Sequence, residues 1–339
     1  MALVFGDSFD HYLVADVVKK WTAQSGANTS AIAAEYALPP HSVGLHLAGN
    51  AGYLEKTLPA ALATFICGTW FRTPALGAQI ILAFIDGTTE HVSVRYDAAG
   101  HITFTRNATV LATSTNVIAI NTWYHIEAKA TIDDAAGTYE VRVNGTATDW
   151  IPAATSKDTR NAGNASISGV RVYGNGSATG HRFQDFYILN TTGTQASDFL
   201  GPCRFQVIRP VGAGNSAQWA GNYADNWSNV AEGQGDSDST FNQDATAGHI
   251  DLFTMSDVPA GTIHAIQHVL MARQDAGAQR VVRPKTRIST TNYSGVSVNT
   301  AASYQFLTEP VMFSPATGGS TAFTDAEING AEFGYELVS

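Results

Sequence analysis

Short runs of alternating apolar and polar residues, separated by turn-forming residues, recur along the chain from Trp70 onward. In one of them Val92, Val94 and Tyr96 alternate with polar residues, and the segment 97–100 that follows has the composition of a hairpin turn. A period of two is typical of a β-strand with one buried face. Because such strands return at intervals of roughly ten residues, they predict an antiparallel sandwich or jelly roll.

The same pattern continues in the segments 123–130 and 139–143. Gly137, in the turn between them, is suited to a backbone position with φ > 0. Asn144-Gly145 is the strongest two-residue hairpin signal that a sequence offers. One short helix or turn is predicted at 13–21. Residues 1–12 are predicted to form a strand followed by a turn. Further strands are predicted at 167–173, 183–189, 203–209, 263–273, 280–288, 304–307 and 333–338.

A polar stretch rich in turn-forming residues, at 190–202, separates two parts of the chain. Such stretches are typical of domain boundaries. We therefore predict an all-β protein in which a jelly-roll sandwich at 1–195 is followed by a smaller β-sandwich at 196–339. Residues 210–250 are rich in Gly, Asn and Asp, and their aromatic residues favour ordered loops over a disordered linker.

Only 14% of the residues are charged, and acidic residues outnumber basic ones to give a net charge of −10. Binding of nucleic acid depends on clustered Lys and Arg, and the sequence has no basic cluster. A nucleic-acid partner is therefore not expected. No apolar run is long enough to span a bilayer, so membrane insertion is not expected either.

The two cysteines, Cys67 and Cys203, fall in different predicted domains and in apolar stretches. A disulfide framework needs more cysteines than two, so we expect two buried free thiols. The chain opens without the basic and apolar regions of a signal peptide. Both features favour folding in a reducing cytoplasm.

Catalytic motifs are scarce. A glycosidase needs two carboxylates at a defined separation, whereas Glu127, Glu140 and Asp185 are single residues on their predicted strands. No nucleophile elbow, zinc-protease motif or phosphate loop occurs. His264 and His268 point to one face of a predicted strand, too far apart for one metal, and would share a metal only on a helix. We therefore expect no enzymatic activity.

Calcium is the one ion that the sequence suggests. Asp236, Asp238 and Asp244 place oxygen ligands along a polar segment, as calcium loops do. The terminal Glu of the twelve-residue calcium loop is missing, and a loop whose Asp and Ser side chains bond their own backbone explains the pattern equally well. By analogy alone, Asp7, Asp10 and Asp185 could contribute to an ion site near a sandwich rim.

Four aromatic residues near predicted loops are candidates for a ligand platform: Trp150, Tyr173, Trp219 and Trp227. Sugar-binding sites combine an aromatic face with amide and carboxylate groups. The alternative for each residue is an aromatic side chain that packs a loop.

Several segments of the first predicted domain resemble the laminin-G/concanavalin A-like family of lectins and glucanases. A Trp-Tyr-His strand, a strand that ends in an Asn-Gly turn and an Asp-Phe-Tyr strand follow one another as in that family. The resemblance implies a fold and no particular function. It is carried by 68–72, 81–85, 121–127, 139–145 and 183–188.

The whole chain also resembles a class of bacteriophage virion structural proteins. The opening Phe9 to Tyr12, the junction 185–204 and the closing segment 323–335 carry this second resemblance, together with 20–22 and 209–219. At Phe323 the chain departs from the pattern, where a Trp is more familiar.

This resemblance implies a non-enzymatic component of a phage particle, located in the tail, in the tail tip or collar, or on the capsid surface. Its expected partners are other virion proteins and further copies of itself, with a cell-surface glycan as a ligand if it contacts the host. Folding would take place in the bacterial cytoplasm before assembly. The alternative function is a carbohydrate-binding adhesin or receptor-binding module.

Overall fold

The computed structural model describes residues 3–25, 29–49, 52–176, 179–275 and 277–339. Two units divide the chain: unit 1 comprises residues 1–10 and 14–205, and unit 2 comprises 11–13 and 206–339. Unit 1 thus continues ten residues past the predicted boundary at 195. The reason is that residues 198–205 are hydrogen-bonded to side chains of unit 1, at Glu127 and Asp185.

Unit 1 is a sandwich of two antiparallel sheets. Its described strands are β1 (Leu3–Asp7), β2 (Ala23–Ser25), β3 (Thr29–Ala33), β4 (Gly44–Ala48), β5 (Tyr53–Leu62), β6 (Thr64–Arg72), β7 (Gln79–Asp86), β8 (Thr89–Tyr96), β9 (His101–Arg106), β10 (Thr109–Val117), β11 (Tyr124–Thr131), β12 (Gly137–Val143), β13 (Thr146–Lys157), β14 (Ile167–Tyr173) and β15 (His181–Asn190). One short helix, α1 (Val17–Lys20), precedes β2 and confirms the helical turn predicted there.

The first sheet has the order β13-β12-β11-β6-β15-β4-β3, with β1 added to β15, and the second has the order β10-β9-β8-β7-β14-β5-β2. Rings from the two sheets meet between them: Phe65 lies 4.4 Å from Phe84, and Tyr139 lies 4.7 Å from Phe104. The predicted jelly-roll class is therefore confirmed, with apolar side chains of the two sheets packed against each other.

Turn chemistry explains several connections. Asn144 and Gly145 both have positive φ, 53° and 84°, as the predicted two-residue hairpin between β12 and β13 requires. Gly137 does not have the positive φ expected of it. A Cβ there would lie 2.2 Å from the Thr159 hydroxyl, so glycine is needed for space rather than for backbone conformation.

Gly87 provides a direct test of backbone conformation in this fold. Its φ is +57° and no atom would contact an added Cβ. Gly77 in the same unit has no positive φ, and an added Cβ there would make only ordinary van der Waals contact with Gln79, at 3.7 Å. Gly87→Ala is expected to lower the free energy of unfolding by about 1 kcal/mol, because an L-residue is strained there. Gly77→Ala should leave it unchanged or raise it slightly. Equal effects of the two substitutions in urea unfolding would contradict this account.

Unit 2 is the smaller β unit. Its described strands are β16 (Pro210–Ala217), β17 (Ala220–Gly221), β18 (Asn242–Gln243), β19 (Ile250–Met255), β20 (Ile266–Ala272), β21 (Val281–Ile288), β22 (Thr291–Ser294), β23 (Val298–Asn299), β24 (Gln305–Val311) and β25 (Glu332–Leu337). A helix, α2 (Asp325–Asn329), begins after Thr324, whose hydroxyl accepts from the Glu327 N–H.

A six-stranded sheet, β16-β19-β25-β21-β22 with β23 on β21, forms the base of unit 2, and β20 pairs with β24 separately. His268 of β20 packs against Phe333 of β25 at 5.6 Å, so the β20–β24 strand pair packs on the sheet. The core between them contains Phe323, Ile328, Ala331 and Phe333. The predicted second sandwich is thus confirmed.

Two strand predictions near the junction are corrected. Residues 203–209 are not a strand, because the backbone groups of Cys203 and Phe205 bond to side chains of Trp70 and Asp185 instead of to a neighbouring strand. Residues 210–217, predicted as loop, form β16 against β19.

Both cysteines are free, as expected. Cys67 is buried and Cys203 half-buried, and both belong to unit 1 rather than to separate domains. Within the described residues, neither helix has the length and apolarity needed to cross a bilayer.

Candidate functional site

Three side chains that are distant in sequence form a buried clamp in unit 1. His41 lies between two carboxylates, with Nδ1 2.5 Å from Asp10 Oδ2 and Nε2 2.9 Å from Asp185 Oδ2. Asp185 is fully buried, and its Oδ1 accepts from the Phe205 N–H at 3.0 Å. Arg204 adds a second cation, with Nη1 3.4 Å from Asp185 Oδ2. We call Asp10, His41, Asp185 and Arg204 the His41 clamp.

Local backbone geometry places these groups. Asp185 has φ of 52° and stands in a bulge of β15, where the pairing with β6 is interrupted between Gln184 and Tyr187. A positive φ is energetically unfavourable for a residue other than glycine, so the surrounding hydrogen bonds must stabilise this conformation. Asp10 follows Phe9, which also has positive φ, at 65°.

Charge defines the state of the clamp. Burial alone would lower the pKa of His41, but its hydrogen bonds with Asp10 and Asp185 and their negative charges raise it to about 9. His41 is therefore an imidazolium at neutral pH. Asp10, His41 and Asp185 form the buried part of this ion network, which ties the N-terminal segment to β15, and Arg204 lies at its exposed edge.

Next to the clamp, Glu127 of β11 holds the chain that follows β15. The Glu127 carboxylate is fully buried and accepts from the N–H groups of Leu200 at 2.9 Å and Gly201 at 3.2 Å. The Tyr187 hydroxyl donates to it at 2.5 Å. We call residues 198–205 the covering segment, because they lie along this face of the sheet without forming a strand.

Glycine at position 68 makes the Tyr187–Glu127 bond possible. Tyr187, Gly68 and Glu127 are opposite one another on β15, β6 and β11. A Cβ on Gly68 would lie 2.2 Å from the Tyr187 ring, so the ring crosses β6 over the glycine. The tyrosine thereby reaches a carboxylate two strands away.

Further contacts fix the covering segment. The indole of Trp70 donates to the Cys203 carbonyl at 2.9 Å, and the Arg204 guanidinium lies 4.2 Å from the Trp70 ring centre. At the other end, Lys129 pairs with Asp198 at 2.9 Å. The sheet face is thus covered by the chain's own backbone.

Electrostatics in this region follow from burial. Burial raises the pKa of Glu127, although the hydrogen bonds from Tyr187, Leu200 and Gly201 oppose the shift. Burial, followed by the charge of Arg204, lowers the pKa of His125 to about 3. His125 is therefore neutral, and its 3.8 Å approach to Glu127 is not an ion pair. The Glu127 carboxylate is thus bound by donors of the chain itself.

The aromatic candidates have different environments. Trp150 is buried on β13, with its ring edge-on to Tyr124 at 6.3 Å, so it packs the fold instead of flanking a loop. Tyr173 ends β14 and packs on Tyr53 at 5.4 Å.

Trp219 packs edge-on against Tyr335 at 4.7 Å and donates to the His249 carbonyl. Trp227 is half-buried at the start of a turn. The most exposed aromatic on this loop, Tyr223 at 84% exposure, was not selected from the sequence because no spacing rule distinguishes it.

The candidate calcium ligands do not converge. Asp236 accepts from Thr240, Asp238 binds Arg273 and Tyr304, and Asp244 binds Thr246 and His249. No group of three acidic, histidine or cysteine side chains with metal-binding geometry occurs among the described residues. These aspartates therefore do not fit a calcium ion together. Asp236 and Asp244 bond residues of their own loops, whereas Asp238 bonds side chains distant in sequence.

The rim aspartates and the strand histidines also have protein partners. Asp7 pairs with buried Lys20 at 3.0 Å and accepts from the Trp21 indole at 2.7 Å. Asp10 and Asp185, grouped with it from the sequence, are brought together, but around His41. His268 lies on β20 against Thr286, whereas His264 precedes the strand. The sequence could not reveal His41, because its partners lie 31 and 144 residues away.

No protein-family model matches the chain, and no curated protein matches it. Among solved structures it is similar to a cellulose-induced protein, Cip1, at 15% identity and a TM-score of 0.42, over 58% of this chain and 99% of that one. It is also similar to the alginate lyase Aly36B, at 15% identity and a TM-score of 0.37, over 53% of this chain and 91% of that one.

A third similarity is to a sialidase of Trypanosoma rangeli, at 16% identity and a TM-score of 0.33, over 45% of this chain. The matched part spans 26% of the sialidase. At such identities and TM-scores, none of these similarities bears on substrate or activity.

Proposed function

We propose that this chain is a non-enzymatic structural component of a bacteriophage particle, which acts by assembly with other virion proteins. Its place would be the tail, the tail tip or collar, or the capsid surface. The observation that carries the proposal is where the residues of the virion resemblance lie. Asp10, Asp185 and Arg204, from the opening and junction motifs, meet in the His41 clamp.

The other motif segments also have structural roles. Residues 198–204 form most of the covering segment, which Glu127 and Trp70 hold. Phe323, Ile328 and Phe333 of the closing motif form the core of unit 2. The motifs thus coincide with the contacts that specify this architecture, which supports a common architecture with the virion proteins. The buried charges hold the chain together, as expected of a scaffold.

The test is the composition of purified particles of the phage that encodes the chain. Quantitative mass spectrometry should find the chain in a fixed ratio to the major capsid protein, and a cryo-EM map should contain density for two β units at symmetry-related positions. Such positions would also define the homo-oligomer. Absence of the chain from washed, infectious particles would overturn the proposal.

A second candidate function, carbohydrate binding, has one observation in its favour. Tyr223 is 84% exposed on a loop of unit 2 that asparagine side chains fix in place. Asn222 bonds to Ser239 and Phe241, and Asn226 bonds to the Trp219 carbonyl and Asp251. A fixed loop that presents an exposed ring suits sugar stacking.

Glycan-array binding tests this second candidate. If the loop binds a sugar, Tyr223→Ala should weaken binding by about tenfold without lowering stability, since one aromatic contact contributes about 1 kcal/mol. Val296→Ala, which alters an apolar side chain that is 62% exposed in the same unit, is the matched control. Absence of any glycan signal for the unaltered protein would reject the candidate.

A further inference from the structure

Three side chains able to carry positive charge lie in a row on the first sheet of unit 1. Arg182 of β15 is directly opposite Arg72 of β6 on one side and His46 of β4 on the other. Residues opposite each other on antiparallel strands have Cβ atoms about 5 Å apart and share one face of the sheet. The pairing therefore brings two guanidinium groups and an imidazole together.

The two arginines lack a matching negative charge. Within the described residues neither forms an ion pair, although the chain has 29 acidic residues against 19 basic ones. The buried Nε atoms of Arg72 and Arg182 both lack a hydrogen-bond partner. Arg72 donates through Nη2 to Asn121 Oδ1 at 3.2 Å, a contact with a neutral amide at the surface.

The surroundings hold these side chains in place. Tyr36 stacks on His46 with ring centres 4.3 Å apart, and the Arg182 guanidinium lies 5.1 Å from the Tyr36 ring. The acidic side chain of this region, Glu35, interacts with the Tyr36 hydroxyl. The two guanidinium groups are thus held by packing, while their Nε donors have no hydrogen-bond partner among the described residues.

Such a pairing is costly without a ligand. Like charges directly opposite on neighbouring strands destabilise a sheet. Burial, followed by the charge of Arg182, lowers the pKa of Arg72, and burial also lowers the pKa of His46. An anion between the guanidinium groups would remove the repulsion and satisfy the unused donors.

We propose that Arg72 and Arg182 form a binding site for an oxyanion, the carboxylate, sulfate or phosphate group of a ligand, with His46 at its edge. Guanidinium groups offer parallel N–H donors that match two oxygens of such a group. The partially exposed side chains of both arginines leave the site open to solvent. This inference does not rest on the proposed virion function.

Equilibrium dialysis of the full chain tests the site with two probes, radiolabelled sulfate and a galacturonic acid trisaccharide, at constant ionic strength set with NaCl. Arg72→Gln and Arg182→Gln should each weaken binding by about tenfold, because a charge-assisted bidentate contact is lost. Arg160→Gln is the control, since it removes the same charge from a guanidinium of unit 1 that is paired with Asp134. Its affinity should stay within about twofold of the unaltered protein.

Thermal melting in sulfate-free buffer shows whether the variants fold. Arg182→Gln should melt no lower than the unaltered protein, because the substitution relieves repulsion. Tighter binding of the trisaccharide would assign a sugar carboxylate to the site, and binding of sulfate alone would assign a free oxyanion. The proposal is overturned if the unaltered protein shows no saturable binding of either probe, or if both arginine variants bind as well as Arg160→Gln.

Discussion

Glu127→Ala is expected to lower the free energy of unfolding of unit 1 by about 4 kcal/mol. The substitution removes a buried carboxylate that accepts from Tyr187, Leu200 and Gly201. Three donors would be left without an acceptor, and each unsatisfied buried donor costs about 1–3 kcal/mol. The loss of packing adds to this, although relief of the buried charge offsets part of it.

Hydrogen exchange at single residues measures the effect where it arises. The amides of Leu200 and Gly201 should lose their protection first, because their acceptor is gone, and protection in β11 and β15 should fall with global stability. Glu140→Ala is the matched control on the adjacent strand, where Glu140 pairs with Arg142 on a partly exposed face. Glu140→Ala should lower the free energy of unfolding by less than about 1 kcal/mol. Unchanged protection at Leu200 in the Glu127 variant would contradict the assigned contacts.

His41→Gln is the second substitution with a large expected effect. It should lower the free energy of unfolding of unit 1 by about 3 kcal/mol near neutral pH. The pKa of His41 is raised from 6.5 to about 9, and each pKa unit corresponds to about 1.4 kcal/mol of preference for the folded state. Glutamine donates through a single amide nitrogen, unlike the two ring nitrogens of His41, and carries no charge. Asp10 and Asp185 would then face each other with Arg204 as the remaining cation of the clamp.

The pH dependence has a definite sign. The folded state binds the His41 proton more tightly than the unfolded state, so the stabilisation is fully present below pH 6.5. It is lost as the pH rises through about 9. The difference in free energy of unfolding between the unaltered protein and the His41→Gln variant should therefore be largest at pH 6 and nearly absent at pH 10.

Pulse proteolysis in urea, with the fragments identified by mass spectrometry, follows unit 1 separately from unit 2. His249→Gln is the matched control, since His249 also pairs with an aspartate, at 2.6 Å, but its side chain is 35% exposed. Because His249 lies in unit 2, the control should lower the free energy of unfolding of unit 2 by less than about 1 kcal/mol at each pH measured. If the loss of free energy of unfolding caused by His41→Gln increased with pH, the clamp would not hold an imidazolium.

Local pattern was enough to predict most of unit 1. Strand β14 has the predicted bounds, and Asn144-Gly145 makes the predicted hairpin, because period-two burial and turn conformation are properties of neighbouring residues. The strand predicted at 203–209 is absent for the opposite reason. Its apolar residues suit a strand, but the backbone is bound by side chains from β6 and β15 that the local sequence does not reveal.

The site was less predictable than the fold. Asp10 and Asp185 were selected as ion ligands by analogy, and the structure gives them a histidine instead. Nothing in the spacing of His41 marks it. The arginine row was equally hidden, since Arg72 and Arg182 become neighbours only through the register of β6 and β15. Aromatic character near a loop was a poor guide, because Trp150 proved to be buried on a strand.

The pairing of β1 with β15 has a consequence for synthesis of the chain. Leu3 is paired with Leu189, so strand β1 leaves the ribosome long before its partner β15 has been made. The His41 clamp has the same property, because it joins residues 10, 41, 185 and 204. Contacts this distant make folding slow and leave strand edges open to aggregation. We expect unit 1 to complete its fold late in translation, and C-terminal truncations before residue 205 to accumulate as insoluble chains.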